Sequence, residues 1–88
     1  MSFSNKVVWI TGASSGIGKA LAIELSKQNA TLILSSRKTA TLELVKQACT
    51  EPSKVKILAL DLEEPKTLHQ KVTVAITLFG GVDILVNN

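Results

Sequence analysis

Apolar and polar positions divide this chain into short runs of two kinds that alternate. Residues 6–10 (KVVWI) form a nearly unbroken β-branched and aromatic stretch, the pattern of a strand covered on both faces. Between residues 17 and 28, Ile17, Ala20, Leu21, Ile23 (beside Ala22) and Leu25 fall largely at helical spacing, with Lys19, Glu24 and Lys27 as polar positions. Residues 31–34 (TLIL) predict a second strand that ends in the polar cluster Ser35-Ser36-Arg37-Lys38. Thr39 or Thr41 can cap a helix carrying Leu42, Val45 and Ala48, and Glu51-Pro52-Ser53 ends it.

The pattern then repeats. Residues 55–60 (VKILAL) predict a third strand running into Asp61-Leu62. Glu63-Glu64-Pro65 puts acids and a proline where a helix begins. That helix carries Leu68, Val72, Ala75, Ile76 and Phe79 until Gly80-Gly81, and residues 83–87 (DILVN) predict a fourth strand. Strands alternating with helices predict βαβ units, right-handed crossovers and an α/β fold with a doubly wound parallel sheet. In the strand order 3-2-1-4 the last strand would be an edge. The sequence stops there at Asn88, so the expectation is one incomplete domain over residues 1–88, the N-terminal part of a larger one.

Composition narrows the function classes. In 88 residues, 45% hydrophobic and 19% charged, there is material for one core and none for two domains, and disorder is excluded. The net charge is +3, but the ten Lys and Arg are scattered without a run of three, which argues against a nucleic-acid patch. The N-terminus has no apolar signal region and no window approaches eighteen apolar residues, so the expected setting is the cytoplasm, without membrane contact. A single cysteine, Cys49, allows no internal disulfide and reads as a small buried hydrophobe. His69 reads as solvated surface, Trp9 as core, and Asp83 as part of the turn into the fourth strand.

The candidate chemistry lies between the first strand and the first helix, in Thr11-Gly12-Ala13-Ser14-Ser15-Gly16-Ile17-Gly18. Glycine there lets the chain turn with positive φ and lets backbone approach a pyrophosphate without Cβ in the way, with helix N–H groups free to point at it. A tight turn under a close-packed helix start would use the same residues without a ligand. A P-loop does not fit, because Gly18-Lys19 would need glycine at Ala13 and Ser or Thr at Ala20. The spacing also differs from G-x-G-x-x-G.

The spacing T-G-x-x-x-G-x-G resembles the short-chain dehydrogenase/reductase family, and the likeness covers essentially the whole chain. Asp61-Leu62 is similar to the family's acidic position and its neighbour, implying contact with the adenine ring. Asn87-Asn88 is similar to the first half of an N-N-A-G motif, implying that this pair lies near the adenine ribose and steadies the strand. Residues 35–38 and 44–49 are more loosely similar to the dehydrogenase/reductase member 7 subgroup. The implied fold is the N-terminal part of a Rossmann domain. The implied cofactor-binding residues are Gly12, Ala13, Ser14, Ser15, Gly16, Ile17, Gly18, Arg37, Asp61, Leu62 and Asn88.

At the end of the second strand an NAD site carries Asp or Glu for the ribose 2′-hydroxyl, and this chain has Ser36 followed by Arg37. A 2′-phosphate would meet a planar cation and no like charge, so the cofactor expected is NADP(H) rather than NAD(H), with Lys38 assisting. The resemblance implies hydride transfer to or from a small carbonyl or alcohol substrate by a full-length protein that assembles with copies of itself. It also implies a Tyr-x-x-x-Lys pair and a Ser, yet the chain has no tyrosine. No catalytic residue is assigned, and the 88 residues alone are expected to be inactive. A dinucleotide-binding module without catalysis, or a fragment without a stable fold, are the other readings.

Overall fold

A computed structural model of the chain describes residues 3–61 and 65–88. Seven elements follow in the expected alternation: β1 (Val7–Thr11), α1 (Gly16–Lys27), β2 (Thr31–Ser35), α2 (Thr39–Ala48), β3 (Val55–Ile57), α3 (Pro65–Leu78) and β4 (Ile84–Val86), with one 3₁₀ turn at Pro52–Lys54. The four strands form one sheet in the order β3-β2-β1-β4. All pairings are parallel: Val8 lies opposite Leu32 and Ile84, and Leu34 opposite Ile57. Among the described residues no helix is long and apolar enough to cross a membrane. Leu62, the acids Glu63 and Glu64, and the side chains of Leu68 and His69 lie outside the described residues.

Every residue of β1 is buried, because both faces of the sheet are covered. Side chains alternate along a strand. Val8, Ile10, Leu32 and Leu34 therefore pack with Ala22 and Leu25 of α1 and Leu42 and Val45 of α2. Val7, Trp9 and Ile33 face the other way, into a cluster with Leu58, Leu60 and Ala75 of α3. Burying each such aliphatic side chain contributes about 1.5–3 kcal/mol, so the central pair β1–β2 is the anchor of the domain.

Local details depart from the sequence reading. Ile17 and Ala20 were expected on the packed face of α1; both are exposed, Ile17 at 78%, and the buried stripe is Gly18, Ala22, Leu25 and Ser26. The helix is rotated so that the side-chain-free Gly18 takes the tightest contact. Ala48 in α2 is exposed and Cys49 fills the core instead. Lys38, rather than Thr39 or Thr41, is the N-cap of α2, and no side chain caps it. In α3, Ala75 is fully buried, whereas Val72 and Ile76 are exposed. The third strand is shorter than expected, but Leu58 N–H still donates to the Leu34 carbonyl (3.0 Å) and Leu60 N–H to the Ser36 carbonyl (3.1 Å), so extended chain continues along β2.

The connections are built from specific caps. Asn29, at φ +68°, ends α1 in the left-handed region: its N–H donates to the Ser26 carbonyl and Ala30 N–H to the Leu25 carbonyl, the paired bonds of a Schellman motif. Gly80 and Gly81, at φ +80° and +148°, release the chain from α3. Asp83 then locks the start of β4 to β1: Val7 N–H donates to its carboxylate (2.8 Å), and Asp83 N–H donates to the Val7 carbonyl (2.9 Å). Among the described residues β4 pairs with β1 alone, and Ile84 and Leu85 are exposed at that edge.

Candidate functional site

A cleft of about 340 Å³ opens at the carboxyl ends of the central strands. Its lining comes from four segments: Thr11, Gly12, Ser14 and Ser15 after β1; Ser35, Ser36, Arg37 and Lys38 after β2; Leu60 and Asp61 beyond β3; and Asn88 beyond β4. The doubly wound topology creates it, because the β1–β2 crossover through α1 and the β3–β4 crossover through α3 cover opposite faces of the sheet and part the chain above the end of β1.

Glycine is required at two of its positions for different reasons. Gly12 has φ +62°, and a Cβ there would stand 3.0 Å from Asn88 Nδ2 and 3.0 Å from the Asn88 backbone carbonyl oxygen. At Gly18 a Cβ would collide with the Gly12 carbonyl oxygen and lie 2.8 Å from the Asn88 Nδ2. The start of α1 thus sits directly against the turn. Ser15 is the N-cap with extended backbone, and its hydroxyl makes no capping hydrogen bond. The first N–H groups of a helix have no partner within the helix, so this end of α1 offers unpaired donors and the positive end of the helix dipole.

Hydrogen bonds fix the turn to its neighbours on both sides. The Thr11 hydroxyl donates to Asn87 Oδ1 (3.1 Å) and accepts from Asn88 N–H (3.1 Å). Asn88 Nδ2 donates to the Gly12 carbonyl (3.1 Å). Toward β2, Ala13 N–H donates to the Ser35 carbonyl (3.2 Å). Ser35 is fully buried, and its hydroxyl accepts from the Trp9 indole N–H (2.8 Å).

The rim beyond β2 is cationic. Arg37 and Lys38 are exposed, and among the described residues no carboxylate pairs with either. Ser36 Oγ accepts from Lys38 N–H (3.0 Å), closing a short turn that holds both cations at the cleft. The residues that end β2 and follow it, Ser35 to Lys38, include no acid, and the carboxylate among the lining residues is Asp61, beyond β3. Cys49 lies elsewhere, under α2; burial pushes its thiol up from the ordinary value of 9.0, partly offset by a hydrogen bond with Ser26.

Of the residues singled out from the sequence, Gly12, Ser14, Ser15, Arg37, Asp61 and Asn88 line the cleft together. Ala13, Gly16, Ile17 and Gly18 do not line it: Ala13 is buried, Gly16 turns the chain at φ +58°, Gly18 gives the close approach, and the Ile17 side chain is exposed. Leu62 lies outside the described residues. Sequence reasoning missed Leu60 and the Trp9–Ser35 bond. The run of apolar residues up to Leu60 gave no sign of which one faces a ligand, and the bond joins positions 26 apart in sequence.

Residues 6–88 match the family model described as short chain dehydrogenase. Dehydrogenase/reductase SDR family member 7 of Mus musculus is 46% identical over 91 residues, covering 97% of this chain and 27% of that protein. The Homo sapiens protein of the same name is also 46% identical, with 26% of its length covered. The chain therefore spans about a quarter of the length of these curated relatives. Among solved structures, the apo glucose dehydrogenase of Caenorhabditis elegans superposes with a TM-score of 0.88 at 29% identity, over 100% of this chain and 39% of that one. A 3-ketoacyl-(acyl-carrier-protein) reductase from Brucella melitensis, complexed with NADH, superposes with a TM-score of 0.83 at 32% identity, over 96% of this chain and 34% of that one. With residues 6–88 of its 88 matched by the family model, this chain belongs to the short-chain dehydrogenase family.

Proposed function

We propose that this chain is the cofactor-binding part of an NADP(H)-dependent oxidoreductase, and that its cleft takes the adenosine half of the dinucleotide. The observation that carries the reading is the end of β2, where Ser35 and Ser36 stand in place of an acid and Arg37 and Lys38, which form no ion pair with a carboxylate among the described residues, line the cleft. A 2′-phosphate placed there would meet a guanidinium able to hold it through two parallel N–H bonds. The residues present fit such a group: the close contact of Gly18 with Gly12 draws the start of α1 against the turn that lines the cleft, and the N-terminus of α1 suits a pyrophosphate. In this reading Asp61 and Leu60, which line the cleft, flank the adenine, Leu62 keeps the adenine contact that the resemblance implies, and Asn88 holds the turn facing the ribose.

When bound, the reduced nicotinamide would supply a hydride to a small carbonyl, or the oxidised ring would accept one from the corresponding alcohol. The chain's own residues bind and orient that cofactor; the acid–base pair belongs to a Tyr-x-x-x-Lys motif that these 88 residues do not contain. By itself the chain is proposed to be inactive, and the whole protein to act in the cytoplasm as a homo-oligomer. NADH in the Brucella melitensis reductase supports a nicotinamide nucleotide in this fold, and the choice of NADP(H) over NAD(H) rests on Arg37. Arg37→Asp tests it. Binding of NADPH should weaken about tenfold or more, the loss of a charge-assisted hydrogen bond plus new repulsion, while binding of NADH changes little. Equal loss of both would refute the specificity.

A further inference from the structure

We propose that Trp9 is a positioning residue of the dinucleotide cleft, acting through Ser35. The inference rests on the nucleotide-binding reading above and extends it to a side chain that cannot touch the ligand. Trp9 is only 4% exposed and lies on the face of β1 turned toward α3. Its indole N–H donates to Ser35 Oγ at 2.8 Å, entirely within the protein.

Ser35 is the residue where three parts of the cleft meet. Its carbonyl accepts from Ala13 N–H and so holds the glycine turn at a fixed distance from β2. It pairs in register with Thr11, whose hydroxyl ties down Asn87 and Asn88. The chain beyond it turns at once into Ser36, Arg37 and Lys38. Trp9 also shares its buried cluster with Leu60, which lines the cleft and whose N–H donates to the Ser36 carbonyl. The indole therefore supports two lining residues, Ser35 by a hydrogen bond and Leu60 by packing. An unpaired indole N–H in this place would be a buried donor without a partner, so the bond selects one Ser35 rotamer and one register for the end of β2. A plain apolar residue at position 9 would fill the core equally well and leave Ser35 free to rotate. The core requirement alone does not account for tryptophan there.

The test uses adenosine 2′,5′-bisphosphate, which carries the 2′-phosphate and does not absorb where tryptophan is excited at 295 nm. Trp9 is the only tryptophan of the chain, so its emission reports on this indole and its immediate surroundings, the Ser35 bond among them. Calorimetry follows binding independently of the fluorescence. We expect Trp9 emission to shift along the same saturation curve as the heat. We also expect Ser35→Ala, and replacement of Trp9 by its benzothienyl isostere, which lacks only the N–H, each to weaken binding about fivefold, and the two together to weaken it no more than either alone. Circular dichroism melts identify any variant that has lost its fold, and the isostere keeps the core filled. Heat of binding with unchanged emission, or unchanged affinity in both variants, or additive losses, would overturn the positioning role and leave the cofactor reading standing. No heat with the unmodified chain would overturn both.

Discussion

Replacing Gly18 by alanine sets two physical effects of opposite sign against each other. Position 18 lies in the first turn of α1, where intrinsic propensity favours alanine over glycine by about 1 kcal/mol. The structure opposes this, because the added Cβ would collide with the Gly12 carbonyl oxygen and approach Asn88 Nδ2 to 2.8 Å and the Gly12 carbonyl carbon to 2.9 Å. Two of these three atoms are backbone, so relief requires moving α1 away from the turn, and overpacking of this kind costs about 1–3 kcal/mol. The same movement strains the Asn88 Nδ2 bond to the Gly12 carbonyl, worth roughly another 1 kcal/mol. The net expectation is a loss of about 1–3 kcal/mol, or roughly 4–8 °C in Tm for each kcal/mol in a domain of this size. Thermal unfolding followed by circular dichroism reads it directly. Gly16 provides the contrast: nothing lies within 4 Å of its Cβ position, but its φ is +58°, so Gly16→Asn should be tolerated where Gly18→Asn is not. A rise in Tm for Gly18→Ala would refute the close approach of helix and turn on which the shape of the cleft depends.

Other perturbations have equally definite outcomes. Thr11→Val removes the hydroxyl that serves both Asn87 and Asn88, and should cost about 1–3 kcal/mol in urea denaturation by leaving those groups without their partner. Asn29→Ala, placing a β-carbon residue without local hydrogen-bonding ability at φ +68°, should destabilise by about 1 kcal/mol, whereas Asn29→Gly should be neutral or better; calorimetric melts of the two variants check the sign. For Cys49 the thiol is raised by burial, so the folded state holds its proton more tightly than the unfolded state. Its contribution is therefore complete below 9.0 and is lost as pH rises above that value; the stability difference between the unmodified chain and Cys49→Ala should shrink between pH 7 and pH 10, measured by denaturant titration.

The sheet order, the parallel pairing and the place of the cleft could be read from the sequence because they follow from strong signals. A β-branched run such as Val7-Val8, a proline at 65 and a double glycine at 80–81 each act through local backbone physics. Gly12 and Gly18 were legible as a turn, but their direct contact was not, since it depends on how α1 leans on β1. Ile17 and Ala48 were misplaced for the same reason: spacing gives the presence of an apolar stripe, and packing against the sheet decides its rotation. Thr39 and Thr41 looked like caps, yet the chain enters α2 through the Ser36–Lys38 turn, which already provides its geometry. Leu60 and the Trp9–Ser35 bond were invisible, because an apolar run carries no mark of which member faces a cavity.

The central claim is that the end of β2 selects a 2′-phosphate, and calorimetry of adenosine 2′,5′-bisphosphate against adenosine 5′-monophosphate on the unmodified chain tests it most directly. The account predicts that the bisphosphate binds about tenfold tighter or better, with the advantage falling as salt screens the exposed Arg37 and Lys38. Equal affinity for the two, or tighter binding of the monophosphate, would contradict it.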